Sequence, residues 1–90
     1  MANFAAILYM VDEEKNKEYR PQHLEYLSTL ENEGKIIAKG PFVDGAGGLV
    51  VYKAESLQEA QELAEKDPYV ALGARRLELH EWNASFASQN

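Results

Sequence analysis

Phe4 to Val11 reads FAAILYMV, an unbroken apolar run of eight residues. It is far shorter than the roughly 18 to 20 residues of a membrane-spanning helix, and its mixture of aromatic and branched side chains suits a strand. Strand side chains alternate between faces, so Phe4, Ala6, Leu8 and Met10 point one way and Ala5, Ile7, Tyr9 and Val11 the other. Both sets are apolar, and such a strand must be covered on both sides. The charged stretch Asp12 to Glu18 ends the run abruptly and reads as a solvated loop.

The remaining chain supplies what could cover that strand. Pro21 suits a first helical turn, and Leu24, Tyr26, Leu27 and Leu30 recur at helical spacing as far as Gly34, which predicts a helix from about Pro21 to Glu33. Lys35 to Val43 reads as a strand interrupted by Gly40-Pro41, marking an edge, a bulge or a bend. Asp44 to Gly48 is a turn, and Leu49 to Ala54 is the returning strand of a hairpin. Ser56-Leu57-Gln58-Glu59 has the form of a capping box, with Leu57, Ala60, Leu63 and Ala64 as the stripe of a second helix that Asp67-Pro68 stops. A short turn over Tyr69 to Gly73 leads into Arg75 to Trp82, a strand with Leu77 and Leu79 on one face and Glu78, His80 and Trp82 on the other.

The order β-α-β-β-α-β is that of an α+β, ferredoxin-like sandwich: an antiparallel sheet with both helices on one side. Residues 1–90 are expected to form one domain with its core at about 4–82 and a tail over 83–90. Two helices cover one face only. At roughly 25 cal/mol per Å² of apolar area, leaving the second face wet forgoes several kcal/mol, comparable to the whole stability of a chain this short. A homodimer packed sheet against sheet is the simplest remedy, since one patch then serves both subunits.

Composition narrows the function classes. The formal net charge is −6, and the nine Lys and Arg are scattered rather than gathered in a stripe, which argues against a nucleic-acid partner. There is no cysteine, so neither a disulfide framework nor a thiolate zinc site can form, and nothing with the spacing of H-E-x-x-H signals a metal. No cofactor is indicated. The start, Met1-Ala2-Asn3-Phe4, lacks the basic region of a signal peptide, and no membrane association is expected. A cytoplasmic protein is the natural reading.

Two histidines carry what chemistry the chain has. His23, beside the apolar stripe of the first helix, is either a partly buried residue bonded to a neighbour or a general acid/base tuned by burial and a carboxylate. Asp67, followed by proline, is either an N-cap or, where the helices pack suitably, the acid that orients the His23 imidazole. His80 shares a strand face with Glu78 and Trp82, and packing explains it best. The glycine-rich Gly45 to Gly48 joins two strands and does not open a helix, so it is a hairpin turn rather than a phosphate cradle.

Three separated motifs carry a resemblance: R-P-x-H-L-x-Y-L at Arg20 to Leu27, G-P-F at Gly40 to Phe42 with Asp44 and Gly48 behind it, and D-P-Y at Asp67 to Tyr69, before a last strand ending in Trp82. Over roughly Phe4 to Trp82 the chain resembles the YciI-like (YCII-related) family. The resemblance implies a dimeric α/β barrel of the ferredoxin-like type and a candidate catalytic pair, His23 and Asp67. It further implies substrate contacts from Arg20, Gly40, Pro41, Phe42, Asp44 and Tyr69, with Arg20 either binding a carboxylate or enolate or simply solvated. The family includes a dehydrochlorinase of chloroaromatic breakdown, so proton transfer or elimination on a small cyclic compound is the function it suggests. The alternative is a domain that holds a metabolite or a protein partner without converting it.

Overall fold

The computed structural model describes residues 1–87. Strand β1, Ala2–Met10, lies in the interior of a four-stranded sheet of order β2-β3-β1-β4 in which every neighbouring pair is antiparallel. The other strands are β2, Ile36–Pro41, β3, Gly47–Ala54, and β4, Arg75–Trp82. Helices α1, Glu13–Asn32, α2, Leu57–Glu65, and the single turn α3, Pro68–Ala71, complete the ferredoxin-like plan.

The alternation in β1 sorts as its pattern requires. Phe4, Ala6 and Leu8 are buried with Val50 and Tyr52 of β3 against Leu27 and Leu30 of α1 and Ala60 and Ala64 of α2. Side chains of this kind contribute roughly 1.5–3 kcal/mol each on full burial, less for the alanines. Ala5, Ile7 and Tyr9 on the opposite face are only half-buried. That face is apolar along β1 and β3, where Ile7 pairs with Leu49 and Ala5 with Val51, but β4 gives it Arg76, Glu78, His80 and Trp82. The second face therefore has an apolar centre and a polar border, not the uniform apolar surface that β1 alone suggests.

Helix α1 starts eight residues earlier than its proline indicates. The stretch expected as a loop, Asp12 to Glu18, holds the N-cap and the first turns: the Asp12 carboxylate accepts the Lys15 N–H at 3.0 Å, and Glu13 and Glu14 occupy the first turn, where negative charge suits the exposed N–H groups. Pro21 consequently lies inside the helix. At the other end Gly34 adopts φ +75° and the Lys35 N–H returns to the Leu30 carbonyl at 2.9 Å.

Of the three readings of Gly40-Pro41 in strand β2, the edge holds and a bulge or bend there does not. The strand's irregularity falls between Ile36 and Ala38, while Gly40 and Pro41 pair in register with Leu49 and Gly48; Pro41 is tolerated because β2 is the edge strand. Strand β3 begins two residues before Leu49, at Gly47, whose φ is +144° and whose added Cβ would lie 1.9 Å from the Leu8 carbonyl oxygen. Only glycine lets β3 run this close to β1.

Ser56 caps α2 by accepting the Glu59 N–H at 3.1 Å. Of the expected stripe, Ala60 and Ala64 are fully buried, Leu63 is half-buried and Leu57 is exposed. The turn expected over Tyr69 to Gly73 is largely α3, with Asp67 as its N-cap. In the described part of the tail, Phe86 meets the edge of Trp82 at 6.3 Å; residues 88–90 of the expected tail lie outside the described residues. Among the described residues no helix is long and apolar enough to cross a membrane.

Candidate active site

His23 is the eleventh residue of α1 and falls on its inner stripe, one turn from the buried Leu27. The junction of α2 and α3 meets α1 there. Asp67 at this junction is completely buried, and its Oδ1 accepts hydrogen bonds from His23 Nδ1 at 2.7 Å and from the Tyr69 N–H at 2.9 Å. The cap of a short helix and the partner of a histidine, separate readings in the sequence, are one carboxylate oxygen in the structure. An ionised carboxylate can only accept, so the Nδ1 position carries the proton and Nε2, on the side of the ring away from Asp67, is the basic nitrogen.

The surroundings of Asp67 keep its charge deep in the fold. Its Oδ2, like the hydroxyls of Tyr52 and Tyr69, is buried without a hydrogen-bond partner, whereas the Tyr26 hydroxyl donates to the Leu63 carbonyl at 2.8 Å. Burial first, and then the Asp67 charge, push the Tyr26 phenol up to about 12 and the Tyr52 phenol further still. Both stay protonated across the physiological range, so neither adds a negative charge beside the Asp67 carboxyl group.

Tyr69 fixes the ring of His23 from the side. The two rings stack with centroids 3.9 Å apart and planes inclined by 16°, and the Arg75 guanidinium lies 4.3 Å from the Tyr69 centroid. Arg75 is itself held by a hydrogen bond from Nε to Asn16 Oδ1 at 2.8 Å. Burial lowers its affinity for its proton, an effect that Tyr69 and Asp67 oppose and Arg20 reinforces.

These groups border a half-open pocket of about 100 Å³ lined by Arg20, His23, Leu24, Lys39, Gly40, Pro41, Gly48, Leu49, Val50, Tyr69, Arg75 and Leu8. A closed cavity of roughly 150 Å³ takes a benzene ring, so an open pocket of this size accommodates the leading part of a small ring compound. Arg20, His23, Gly40, Pro41 and Tyr69, singled out in the sequence, come together on its wall, and Asp67 lies directly behind His23. Phe42 and Asp44 do not line it. Phe42 borders an adjoining shallow groove that shares Lys39, Gly40, Pro41 and Leu49 with the pocket, and Asp44 accepts the Ala46 N–H at 2.9 Å, shaping the exposed hairpin turn. His80 is remote from the pocket, exposed on the outer sheet face 3.0 Å from Glu78. Lys39 and Arg75 are on the pocket wall without having been singled out. Among the described residues no group of three or more His, Cys, Asp or Glu is placed to hold a metal ion.

Residues 2–83 match the model of the YCII-related domain. The chain belongs to this family. It is 41% identical over 76 residues to the uncharacterized protein YjpA of Bacillus subtilis (strain 168), covering 84% of this chain and 89% of that protein. It is 43% identical over 70 residues to protein YciI of Escherichia coli O6:H1, covering 67% and 71% of the two chains. Among solved structures, 5-chloro-2-hydroxyhydroquinone dehydrochlorinase (TftG) from Burkholderia phenoliruptrix AC1100, in complex with 2,5-dihydroxybenzoquinone, superposes with a TM-score of 0.78 at 22% identity, covering 92% of this YCII-related chain and 95% of the dehydrochlorinase. That likeness establishes a shared fold.

Proposed function

We propose that this protein is a cofactor-independent enzyme of the lyase or isomerase type that moves a proton on a small ring compound, with His23 as the base and Asp67 as the residue that orients it. The observation that carries this reading is the buried 2.7 Å contact between His23 and Asp67 beside an open pocket. A buried carboxylate holding a histidine on a pocket wall is the arrangement that a base-orienter pair requires.

In the reaction, Nε2 takes a proton from a carbon made acidic by an adjacent carbonyl, and the C–H electrons pass into a new C=C bond. In an elimination a leaving group such as chloride departs with its bonding electrons; in an isomerisation the imidazolium returns the proton to another carbon. Asp67 stabilises the imidazolium and keeps Nδ1 protonated throughout, as an orienting acid does in other base-orienter pairs. The dehydrochlorinase of the same fold, solved with a dihydroxybenzoquinone, motivates chlorinated hydroxyhydroquinones as the first compounds to try; their diketo tautomers carry a C–H beside a carbonyl and chloride on the next carbon, so loss of HCl gives the hydroxyquinone. Chloride release and quinone absorbance would be followed for the wild type, His23→Ala and Asp67→Asn. The expected result is turnover by the wild type that falls by about 10²-fold or more in each variant; unchanged turnover in both would refute the mechanism, and binding with no conversion would favour a metabolite-binding domain.

We further infer that the protein acts as a homodimer with its sheets face to face. The half-exposed Ala5, Ile7, Tyr9 and Leu49 support this, since an apolar centre bordered by polar groups is the anatomy of a protein interface.

A further inference from the structure

The sign of charge around the pocket is opposite to that of the chain. Against a net charge of −6, its wall carries Arg20, Lys39 and Arg75 and no carboxylate, because Asp67 is sealed behind His23. Lys39 is engaged by Glu31 at 3.5 Å. Among the described residues, neither Arg20 nor Arg75 takes part in an ion pair. Two guanidinium groups that border one pocket with no carboxylate in ion-pair contact repel each other, and an anion placed between them relieves that repulsion in a setting of low dielectric.

Arg75 has the marks of a prepared ligand group. Its Nε is spent on Asn16 and its plane rests against Tyr69, which leaves the terminal nitrogens as the uncommitted donors, and Arg presents such donors to planar oxyanions as a fork. Gly48 makes room for them, since a Cβ there would lie 3.1 Å from an Arg75 terminal nitrogen. Ordering a free arginine costs rotamer entropy that this side chain has already lost on folding.

The position of Arg75 relative to the base is also fixed. Both groups lie against the Tyr69 ring, the imidazole centroid 3.9 Å and the guanidinium carbon 4.3 Å from its centroid. The guanidinium carbon is therefore no more than about 8 Å from the imidazole centroid, a reach that one small ring with an oxyanion substituent can bridge in the near-attack geometry proton transfer requires. Resting on the pocket's assignment as the reaction site, we propose that Arg75 and Arg20 form an oxyanion subsite that selects negatively charged ring compounds, carboxylates or enolates, and holds their charge beside His23.

Isothermal titration of the full chain with two probes of similar size tests this: 2,5-dihydroxybenzoquinone, an acidic enol ionised at neutral pH, and hydroquinone, which is uncharged there. The wild type is expected to bind the anion at least about 10-fold more tightly, with the preference shrinking as salt rises from about 20 to about 300 mM. Arg75→Gln should remove most of that preference and leave the weak binding of hydroquinone within about twofold. Arg20→Gln, at an exposed position, should fold whatever Arg75→Gln does and reduce the preference several-fold. Asn16→Ala should weaken anion binding while Asn16→Gln partly restores it, the mark of a positioning residue. Equal affinity for the two probes, or an unchanged preference in both arginine variants, would overturn the subsite. His23→Ala separates this from the reaction: if it keeps the preference while no compound is turned over by the wild type, the subsite stands and the proposed catalysis falls.

Discussion

Asp67 accepts a hydrogen bond from the imidazole and caps α3 through the same oxygen, so its substitution separates into two effects. Asp67→Asn keeps a capping side chain and should fold with a modest loss. Asp67→Ala removes the cap and strands a buried imidazole N–H, and should cost about 2–4 kcal/mol in urea denaturation. The tyrosines nearby set an alkaline limit on stability. The Tyr26 phenol, ordinarily 10.0, is pushed up to about 12 in the fold. Below pH 10 both states keep the proton and nothing is lost; between 10 and 12 the unfolded chain ionises first, so stability falls as pH rises. The urea midpoint should decline through that window, and less steeply in Tyr26→Phe; parallel profiles for the two proteins would exclude this origin. Much of the site was legible at the level of residue types: His23, Asp67 and Tyr69 stand in short motifs with proline or an aromatic at fixed offsets. Arg75 was not. It opens a strand whose alternation accounts for it fully, and its tether Asn16 sits in a stretch whose charges resemble a loop; only the fold brings residues 59 apart in sequence together.

Strand β3 runs against β1 at Gly47 with no room for a side chain. Gly47→Ala would drive a methyl group into the Leu8 carbonyl and impose φ +144° on a residue with a Cβ, so a loss of more than about 3 kcal/mol is expected, mostly from the start of the β1–β3 ladder. Hydrogen exchange localises the damage: faster exchange confined to β2 would contradict it. Four strands and the second helix were readable because their alternation, capping serine and punctuating glycines and prolines agree with one another. The start of α1 was misplaced because Pro21 is a good first helical residue and equally a tolerated interior one, and the acidic run before it suits a solvated loop as well as a first turn with Asp12 as its cap. Local chemistry does not separate those cases.

The apolar centre of the outer sheet face bears on the whole molecule. If the sheets pack together, light scattering at micromolar concentration gives twice the 10.1 kDa chain mass, and Ile7→Glu, which places a charge at that centre, should raise the dissociation constant by at least about 10²-fold while α1 and α2 keep their circular dichroism. A folded monomer in the wild type would end the dimer proposal. The expectation of association comes from β1 alone; the polar contribution of β4 to the same face could not be read there, because it depends on the register that sets Ile7 opposite Glu78 and Ala5 opposite His80. The same register has a consequence for biosynthesis. Strand β1 pairs only with β3 and β4, through contacts such as Ala2 with Ala54 and Asn3 with Trp82, so it leaves the ribosome well before either partner exists. For most of the time the chain takes to be made, its most apolar segment has no neighbour to bond to, and the demand this protein places on chaperones should be concentrated in the interval before β4 emerges.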